Sequence, residues 1–360
     1  MWAQPDCPDN QTLQSANYSD NIQLSRSLPG EFKGTTTPTL QNLEQSNLFY
    51  LRFVAIVAGT IQSHYPYQLA SSDCNIMTDS NAAPIQNLQA VDPSVVRLVQ
   101  ITDCHIQAAV QDRLKGMNTR ASLEAICQSI LADNDDLDLV LATGDLSQDG
   151  SAASYEYLAH QLSKLQLPVH WLPGNHDDPG VMHEQLDNGQ LSAAKQVLIG
   201  NWLIVLLDST IKGESAGNVS PQQLDFLHRS LRAQPRHHVL VCLHHQVMPT
   251  GSAWIDQLGL QQPQALQAAI KSEPNVRAVL WGHVHQQSHH YLDGIEWLSS
   301  PSTCVQFKPG SDEFALDNLP PGYRQLNLYA DGSIDTRVAR LTSFDFDSDF
   351  DFNTADEMAR

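Results

Sequence analysis

Basic side chains are scarce in this sequence. Lys and Arg number 20 against 40 Asp and Glu, leaving a formal net charge of −20. So acidic a surface argues against non-specific binding of nucleic acid or of an anionic membrane. It leaves room for a small anionic ligand, because bound divalent metals reverse the local field. Cysteine is sparse too. Cys7, Cys74, Cys104, Cys127, Cys242 and Cys304 form no CxxC pair and no dense framework, which fits free thiols in a reducing compartment. A basic leader is missing: the chain opens Met1-Trp2-Ala3-Gln4-Pro5-Asp6, so no secretory signal is expected. Long apolar runs are missing as well. The best candidate, residues 48–61 (LFYLRFVAIVAGTI), contains Arg52 and falls short of the about 20 residues a spanning helix needs. The expectation is a cytoplasmic soluble protein with neither nucleic acid nor membrane as a partner.

What is abundant is histidine, with 15 residues, several of them clustered, and apolar residues at 41%, enough for a substantial core. The 360 residues allow one large domain or two ordinary ones. Residues 1–93 are rich in Gln, Asn, Ser, Thr and Pro and show little periodicity, so a disordered or irregular extension is expected there. Residues 94–342 carry the signals of a folded catalytic domain. Residues 343–360 form an acidic tail in which Phe344-Asp345-Phe346-Asp347 alternates. Its acids would repel along one face, and disorder is expected there as well.

Within 94–342 the pattern is rhythmic. Val95 to Ile101 reads as a buried strand ending in Thr102-Asp103-Cys104-His105. Asn118 or Thr119 caps a helix with Leu123, Ile126 and Ile130 on one face. Leu137 to Ala142 is a strand ending in Gly144-Asp145, and Tyr155, Leu158, Leu162 and Leu165 mark a second helix. Val169 to Leu172 leads into Gly174-Asn175-His176-Asp177. Further strands are read at Val197–Ile199 and Trp202–Leu207, joined by Gly200-Asn201, at Val239–Leu243 ending in His244-His245, and at Val276–Trp281 ending in Gly282-His283-Val284-His285. Helices are read after Ser220-Pro221 and over 263–272, and antiparallel strands near the C-terminal end. Strands alternating with helices predict α/β architecture: two mixed sheets face to face in a four-layer α-β-β-α sandwich.

Singly, each polar cluster is an ordinary loop. Together, Asp103, His105, Asp145, Asn175, His244, His283 and His285 follow strands that read as one sheet, a poor outcome for chance. The set is imidazole, carboxylate and amide without thiolate, which suits Mn, Fe or Zn better than Ca. Seven ligands exceed the need of one ion, so two ions sharing a carboxylate, roughly 3.5–4 Å apart, fit better.

Asp-x-His, Gly-Asp, Gly-Asn-His-Asp, His-His and Gly-His-x-His, in this order, resemble the calcineurin-like metallophosphoesterases. Residues 98–103, 171–177 and Pro301-Ser302-Thr303-Cys304-Val305-Gln306-Phe307-Lys308-Pro309 are similar to the bacterial class III 3',5'-cyclic AMP phosphodiesterases within that superfamily. The resemblance covers about Val95 to Leu341. It implies two divalent ions per chain, Fe2+ or Mn2+ first and Zn2+ second. One would sit on Asp103, His105 and His285, the other on Asn175, His244 and His283, with Asp145 bridging. It implies that His245 is no ligand, lying near the substrate or packing. His105, Asp145, Asn175, His176 and His285 would face a cyclic nucleotide.

The chemistry follows from charge. A phosphodiester anion resists hydroxide. Two cations neutralise its oxygens and acidify a bridging water, whose hydroxide attacks phosphorus in line with the 3' oxygen. His176, beside a ligand but not one itself, is the natural proton donor to that oxygen. The product would be 5'-AMP. Asp177 is read as orienting His176 or capping the next turn, Asp208 as holding the Ser209-Thr210 turn, and Cys104 as a buried inert thiol. Trp254 and Phe307 either stack on adenine or pack their loops. Rival readings are action on another phosphodiester, a 2',3'-cyclic nucleotide or a phosphomonoester, and, from another class, a non-catalytic binding module. A homodimer is left open.

Overall fold

The computed structural model describes residues 84–133 and 136–342. The expectations for residues 1–83, with the apolar stretch 48–61, and for the tail from 343 onward lie outside the described residues. None of the described helices is long and apolar enough to cross a membrane.

Two sheets form the centre. One has six strands: β2 (Val95–Ile101), β3 (Leu139–Thr143), β4 (Val169–Leu172), β5 (Leu191–Ser192), β14 (Gly322–Tyr329) and β15 (Ile334–Arg340), in the order β15-β14-β2-β3-β4-β5. Strands β2 to β5 run parallel, and β14 and β15 are antiparallel. The other sheet has seven: β1 (Ile85–Leu88), β6 (Gln196–Ile199), β7 (Trp202–Leu206), β8 (His238–Cys242), β9 (Val276–Trp281), β10 (Ser288–Leu292) and β11 (Ile295–Ser299), in the order β1-β6-β7-β8-β9-β11-β10. A short ribbon pairs β12 (Gln306–Phe307) with β13 (Leu316–Asp317).

Central strands such as β3 and β7 read as near-continuous apolar runs because both faces are buried. Leu98, Leu139, Leu141 and Leu172 point to one side and meet Trp202, Ile204, Leu206, Leu240 and Leu280 of the second sheet. The alternate residues, Val99, Ile101, Val140 and Ala142, face the helices α1 (Thr119–Asp133), α2 (Ala152–Ser163) and α3 (Pro179–Leu186). On the far side, Leu203, Val205, Val241 and Val279 meet α4 (Pro221–Ala233) and α6 (Pro263–Lys271). The four layers are those expected. Arg324, buried on β14, also ties the sheets, donating to the Ser299 carbonyl at 2.6 Å and that of Ser288 at 3.0 Å.

Local chemistry explains the helix starts. Asn118 Oδ1 accepts from Ala121 N at 3.1 Å, Ser151 Oγ from Ser154 N at 3.2 Å, and Ser220 Oγ from Gln223 N at 3.3 Å, the last ahead of Pro221. The hairpin at Gly200-Asn201 forms as read, with Ile199 opposite Trp202.

Two readings need correction. The stretch 1–93 is not irregular to its end, because Ile85–Leu88 pairs in parallel with Gln196–Ile199 as an edge strand. Four residues are too few for a periodic signal, and a polar Gln-Asn pair fills the middle. The ligand-bearing strands also do not belong to one sheet. Asp103, Asp145 and Asn175 follow β2, β3 and β4, whereas His244 and His283 follow β8 and β9 of the other sheet.

Candidate metal centre

The site lies where the C-terminal ends of both sheets meet. Past those ends the chain turns sharply. Asp103, His105, Asp145, His283 and His285 all take positive φ, between 46° and 67°, a region that costs a non-glycine residue about 1–2 kcal/mol. Such cost persists where surrounding contacts over-determine the backbone. Here Asp103 N donates to the Gly144 carbonyl at 3.0 Å and His105 N to that of Asp145 at 2.9 Å. His283 N donates to both Asp103 carboxylate oxygens at 3.0 Å. The glycines between them permit close approach: a Cβ at Gly174 would collide with Asp145, side chain and backbone, and one at Gly282 with Thr102 Oγ1.

Six of the seven candidate ligands are buried, and Asn175 is half-buried with a buried Oδ1. The ligand atoms of Asp103, His105 and His285 lie within 4.8 Å of one another, as do those of Asp103, Asp145 and His244. Asp145 Oδ2 stands between the halves, 3.3 Å from His244 Nε2 and 3.7 Å from His105 Nε2. Its Oδ1 accepts from His176 N at 2.9 Å. His285 Nε2 is 3.4 Å from Asp103 Oδ1.

Tautomers are fixed from behind. His244 Nδ1 faces the Thr143 carbonyl at 2.9 Å, His285 Nδ1 the Val305 carbonyl at 2.7 Å, and His105 Nδ1 the Gln148 amide oxygen at 2.7 Å. Those oxygens only accept, so each Nδ1 carries a proton, and each ring when neutral turns the lone pair of its Nε2 inward. Two such lone pairs, on His105 and His285, then oppose each other at 3.2 Å. His244 Nε2, His283 Nε2 and Asn175 Oδ1 are buried with no hydrogen-bond partner among the described residues. Opposed lone pairs and orphaned acceptors in one buried cluster fit cations and little else.

Protonation agrees. Burial drives His105 down to about 3 and His283 well below its usual range, so both imidazoles are neutral. Burial works against ionised Asp103 and Asp145, yet the facing histidines prevail and hold both carboxyls below their ordinary values. His244 is the exception in the protein alone: burial opposes its charge, but Asp145 outweighs it and lifts it to about 9.

His176, half-buried, meets His105 edge-on at 4.9 Å between ring centroids, and its imidazole bonds no other described side chain. Asp177 neither orients it nor caps the following helix. Asp178 is the cap of α3, accepting from Gly180 N and Val181 N. The Asp177 carboxylate lies under the loop and accepts from Gly174 N, Ser147 N, Leu146 N and the Tyr155 hydroxyl. Burial, with the charge of Asp145, raises it to about 6. The His245 ring sits 4.7 Å from that of His283 and its Nδ1 is 2.8 Å from Ser209 Oγ, while its Nε2 is buried without a partner and its ligand atom lies within 4.8 Å of those of His244 and His283. Asp208 holds its turn through Thr210 N at 2.9 Å. Cys104 is fully buried and its thiol is pushed well up by burial, which leaves it inert.

The sequence reading missed the braces. Gln148 behind His105 had no motif to betray it. Ser302 Oγ donates to the Asp103 carbonyl at 2.8 Å. Phe307 stacks one face on His285, with centroids 4.0 Å apart and rings 5° from parallel. The 301–309 stretch was visible as a resemblance, but its task of propping the cluster depends on the fold.

A narrow cleft opens on the cluster. A roomier cavity of about 430 Å³, lined among others by Arg97, Asp133, Asp335 and Arg337, lies toward the opposite ends of the strands and holds none of these groups.

A family model described as calcineurin-like phosphoesterase matches residues 96–287. The curated 3',5'-cyclic adenosine monophosphate phosphodiesterase CpdA of Pseudomonas aeruginosa is 42% identical over 266 residues, 74% of this chain and 97% of that protein. CpdA of Escherichia coli (strain K12) is 42% identical over 255 residues, 71% of this chain and 93% of the relative. A 3',5'-cyclic-nucleotide phosphodiesterase of Nostoc sp. is 41% identical over 246 residues, covering 68% and 92%. Among solved structures, a dimetal phosphatase from Danio rerio aligns with a TM-score of 0.48 at 16% identity, covering 69% of this chain and 99% of that one.

Proposed function

The chain belongs to the calcineurin-like phosphoesterase family, and from that premise we propose that it hydrolyses 3',5'-cyclic AMP to 5'-AMP. The family and the His/Asp clusters support a dinuclear divalent metal site. The observation that carries the reading is that every candidate ligand stands in one buried cluster with orphaned acceptors, in a chain 42% identical to a curated cyclic AMP phosphodiesterase along 97% of its length.

Asp103, His105 and His285 would hold one ion, and Asn175, His244 and His283 the other, with Asp145 Oδ2 between them. Supporting this division, His244 Nε2, His283 Nε2 and Asn175 Oδ1 are buried without a partner, as is the neighbouring His245 Nε2, while His105 and His285 share the opposed lone pairs. The donor set, free of thiolate, favours Fe2+ or Mn2+, with Zn2+ as the alternative. Ions bound there supply charge neutralisation to the diester and an acidified water. The chain's own residues do the rest. Asp145 Oδ1 fixes the His176 backbone at 2.9 Å, and the imidazole reaches the cluster, with a ring nitrogen within 4.8 Å of ligand atoms of His105 and Asp145. With its imidazole unbonded to any described residue, His176 is available to protonate the departing 3' oxygen. Gln148 and Phe307 keep the His105 and His285 rings from turning. The acidic surface and the buried thiols agree with a cytoplasmic enzyme that uses a small-molecule substrate rather than nucleic acid or a membrane.

The test is kinetic. Protein reconstituted with Mn2+, Fe2+ or Zn2+ is expected to show a higher kcat/KM on cyclic AMP than on bis-(p-nitrophenyl) phosphate, 2',3'-cyclic AMP or p-nitrophenyl phosphate. A generic diester turned over as well as cyclic AMP would overturn the specificity.

A further inference from the structure

His176 lines the cleft together with Trp254 and Ile255 of α5 (Ala253–Asp256). A ring without a hydrogen-bond partner is aimed by the backbone that carries it. On one side that backbone is held by Asp145, whose Oδ1 accepts from His176 N at 2.9 Å. On the other side, the next two residues are held by a single hydroxyl. Tyr155 donates to Asp177 Oδ1 at 2.9 Å and accepts from Asp178 N at 2.9 Å. The direction of both bonds is fixed, because a backbone N–H only donates and the phenol then has its one proton left for the carboxylate. Burial, with the charge of Asp177, pushes the phenol up, so it stays a hydroxyl.

The hydroxyl is itself anchored. Tyr155 stands in the first turn of α2, is fully buried, and belongs to the core that includes Leu158, Trp171 and Met182. That turn is locked to the loop after β3. Ser154 Oγ meets Ser147 Oγ at 2.6 Å, and Ser151 Oγ accepts from Ser154 N at 3.2 Å. The phenol thus carries the position of a core-seated helix to the peptide beyond His176. Its two partners depend on it unequally. The Asp177 carboxylate has three other donors, Gly174 N, Leu146 N and Ser147 N. Asp178 N has no other acceptor among the described residues. Loss of the hydroxyl therefore leaves the Asn175 side of the loop pinned and frees the Asp178 side.

We propose that Tyr155 is a positioning residue for the proton transfer: by gripping Asp177 and Asp178, its hydroxyl holds the His176 imidazole where the 3' oxygen departs. This rests on the phosphodiesterase reading and adds to it a residue outside the cleft. Tyr155 touches neither ions nor substrate and acts only through His176. A ring free to swing spends less time aligned with the leaving oxygen, so the loss falls on the step that needs the proton. Metal loading is spared, because the Gly174–Asp177 bond beneath Asn175 remains.

The experiment is a double-mutant cycle on the full chain loaded with Mn2+: wild type, Tyr155→Phe, His176→Ala and the two combined. Phenylalanine keeps the ring in the core. Metal content and Tm are measured for each protein, and assays run below the Tm of the weakest one, so that folded proteins are compared. The substrates are cyclic AMP, whose alkoxide leaving group needs a proton, and bis-(p-nitrophenyl) phosphate, whose nitrophenolate does not. Tyr155→Phe is expected to lower kcat on cyclic AMP about tenfold, the scale of one hydrogen bond. KM and metal content should stay near those of wild type, and the loss on the activated diester should be far smaller. Added to His176→Ala, Tyr155→Phe should cost nothing further on cyclic AMP. If the two losses multiply, Tyr155 does not act through His176 and the proposal is overturned. It is overturned equally if Tyr155→Phe loses metal, if it slows both substrates alike, or if His176→Ala runs at full speed. The substrate reading is judged separately, on wild type alone, by its preference for cyclic AMP. Should that preference be missing, the cycle is still read on whichever alkyl phosphodiester wild type hydrolyses.

Discussion

Asn175 and His176 are adjacent in the chain and part company in the fold. Asn175 turns a buried, unpartnered Oδ1 into the cluster, while His176 is half-exposed, fixed only through its backbone and an edge contact with His105. Asn175→Ala is therefore expected to lower metal content toward one ion per chain and to lose activity in parallel. His176→Ala should retain both ions and slow turnover of cyclic AMP by about 10²–10⁴. Elemental analysis beside kcat separates the two, and an His176→Ala enzyme of full speed on a poor leaving group would remove its proposed role. Asp177 shows what the motif hides. Its carboxylate serves the backbone of two loops, so it shapes the turn on which Asn175 and His176 sit without touching the chemistry.

At the scale of elements, the site is a set of strand ends laced to one another. Strand β2 hands Asp103 to the loop after β3 through Gly144, and to the loop after β9 through His283 N. The 301–309 stretch closes the lacing, with Thr303 N donating to the Thr102 carbonyl at 3.1 Å. Edge strand β1 belongs to this frame from a distance: Leu88 packs against the inter-sheet core, and Val91 N donates to Asp138 Oδ1 at 2.6 Å. Removing residues 1–83 should leave activity and melting temperature intact. Removing residues 1–90 strips β1 and bares the β6 edge. It is expected to cost about 1–3 kcal/mol, seen as a fall of several degrees in Tm at roughly 2–4 °C per kcal/mol. Equal melting of the two truncations would show that β1 contributes nothing.

The whole molecule stores charge at the meeting of its sheets. Asp103 and Asp145 are buried within a shell of histidines, so stripping metal would remove the cations proposed to face these groups. Chelation should lower Tm, since ligands that bind only the folded chain stabilise it by about 2.7 kcal/mol at a hundred times their Kd. The sign of the pH effect follows from His244. Its pKa in the protein alone is raised to about 9, so at pH 7 it is protonated and must lose that proton to become a ligand. Metal loading is therefore expected to release about one proton per chain at pH 7 and to strengthen as pH rises toward about 9. Titration calorimetry in two buffers of different ionisation enthalpy measures it, and a buffer-independent heat would contradict it.

Much of this was legible along the chain. Apolar runs announced strands, Asn118 and Ser220 began helices, and polar clusters after strands singled out Asp103, His105, Asp145, Asn175, His244, His283 and His285. Such signals act within a few residues, where backbone sterics, capping and side-chain period operate, so sequence by itself determined most of the elements and the inventory of candidate ligands. It did not determine which atoms meet. The split of the ligands between two sheets, the inward turn of each Nε2, the stacking of Phe307 on His285 and the place of Asp177 under its loop were decided by tertiary structure. His105 and His285 stand 180 residues apart and 3.2 Å across. Only the packing of one sheet on the other, through side chains such as Leu98 and Trp202, brings them together.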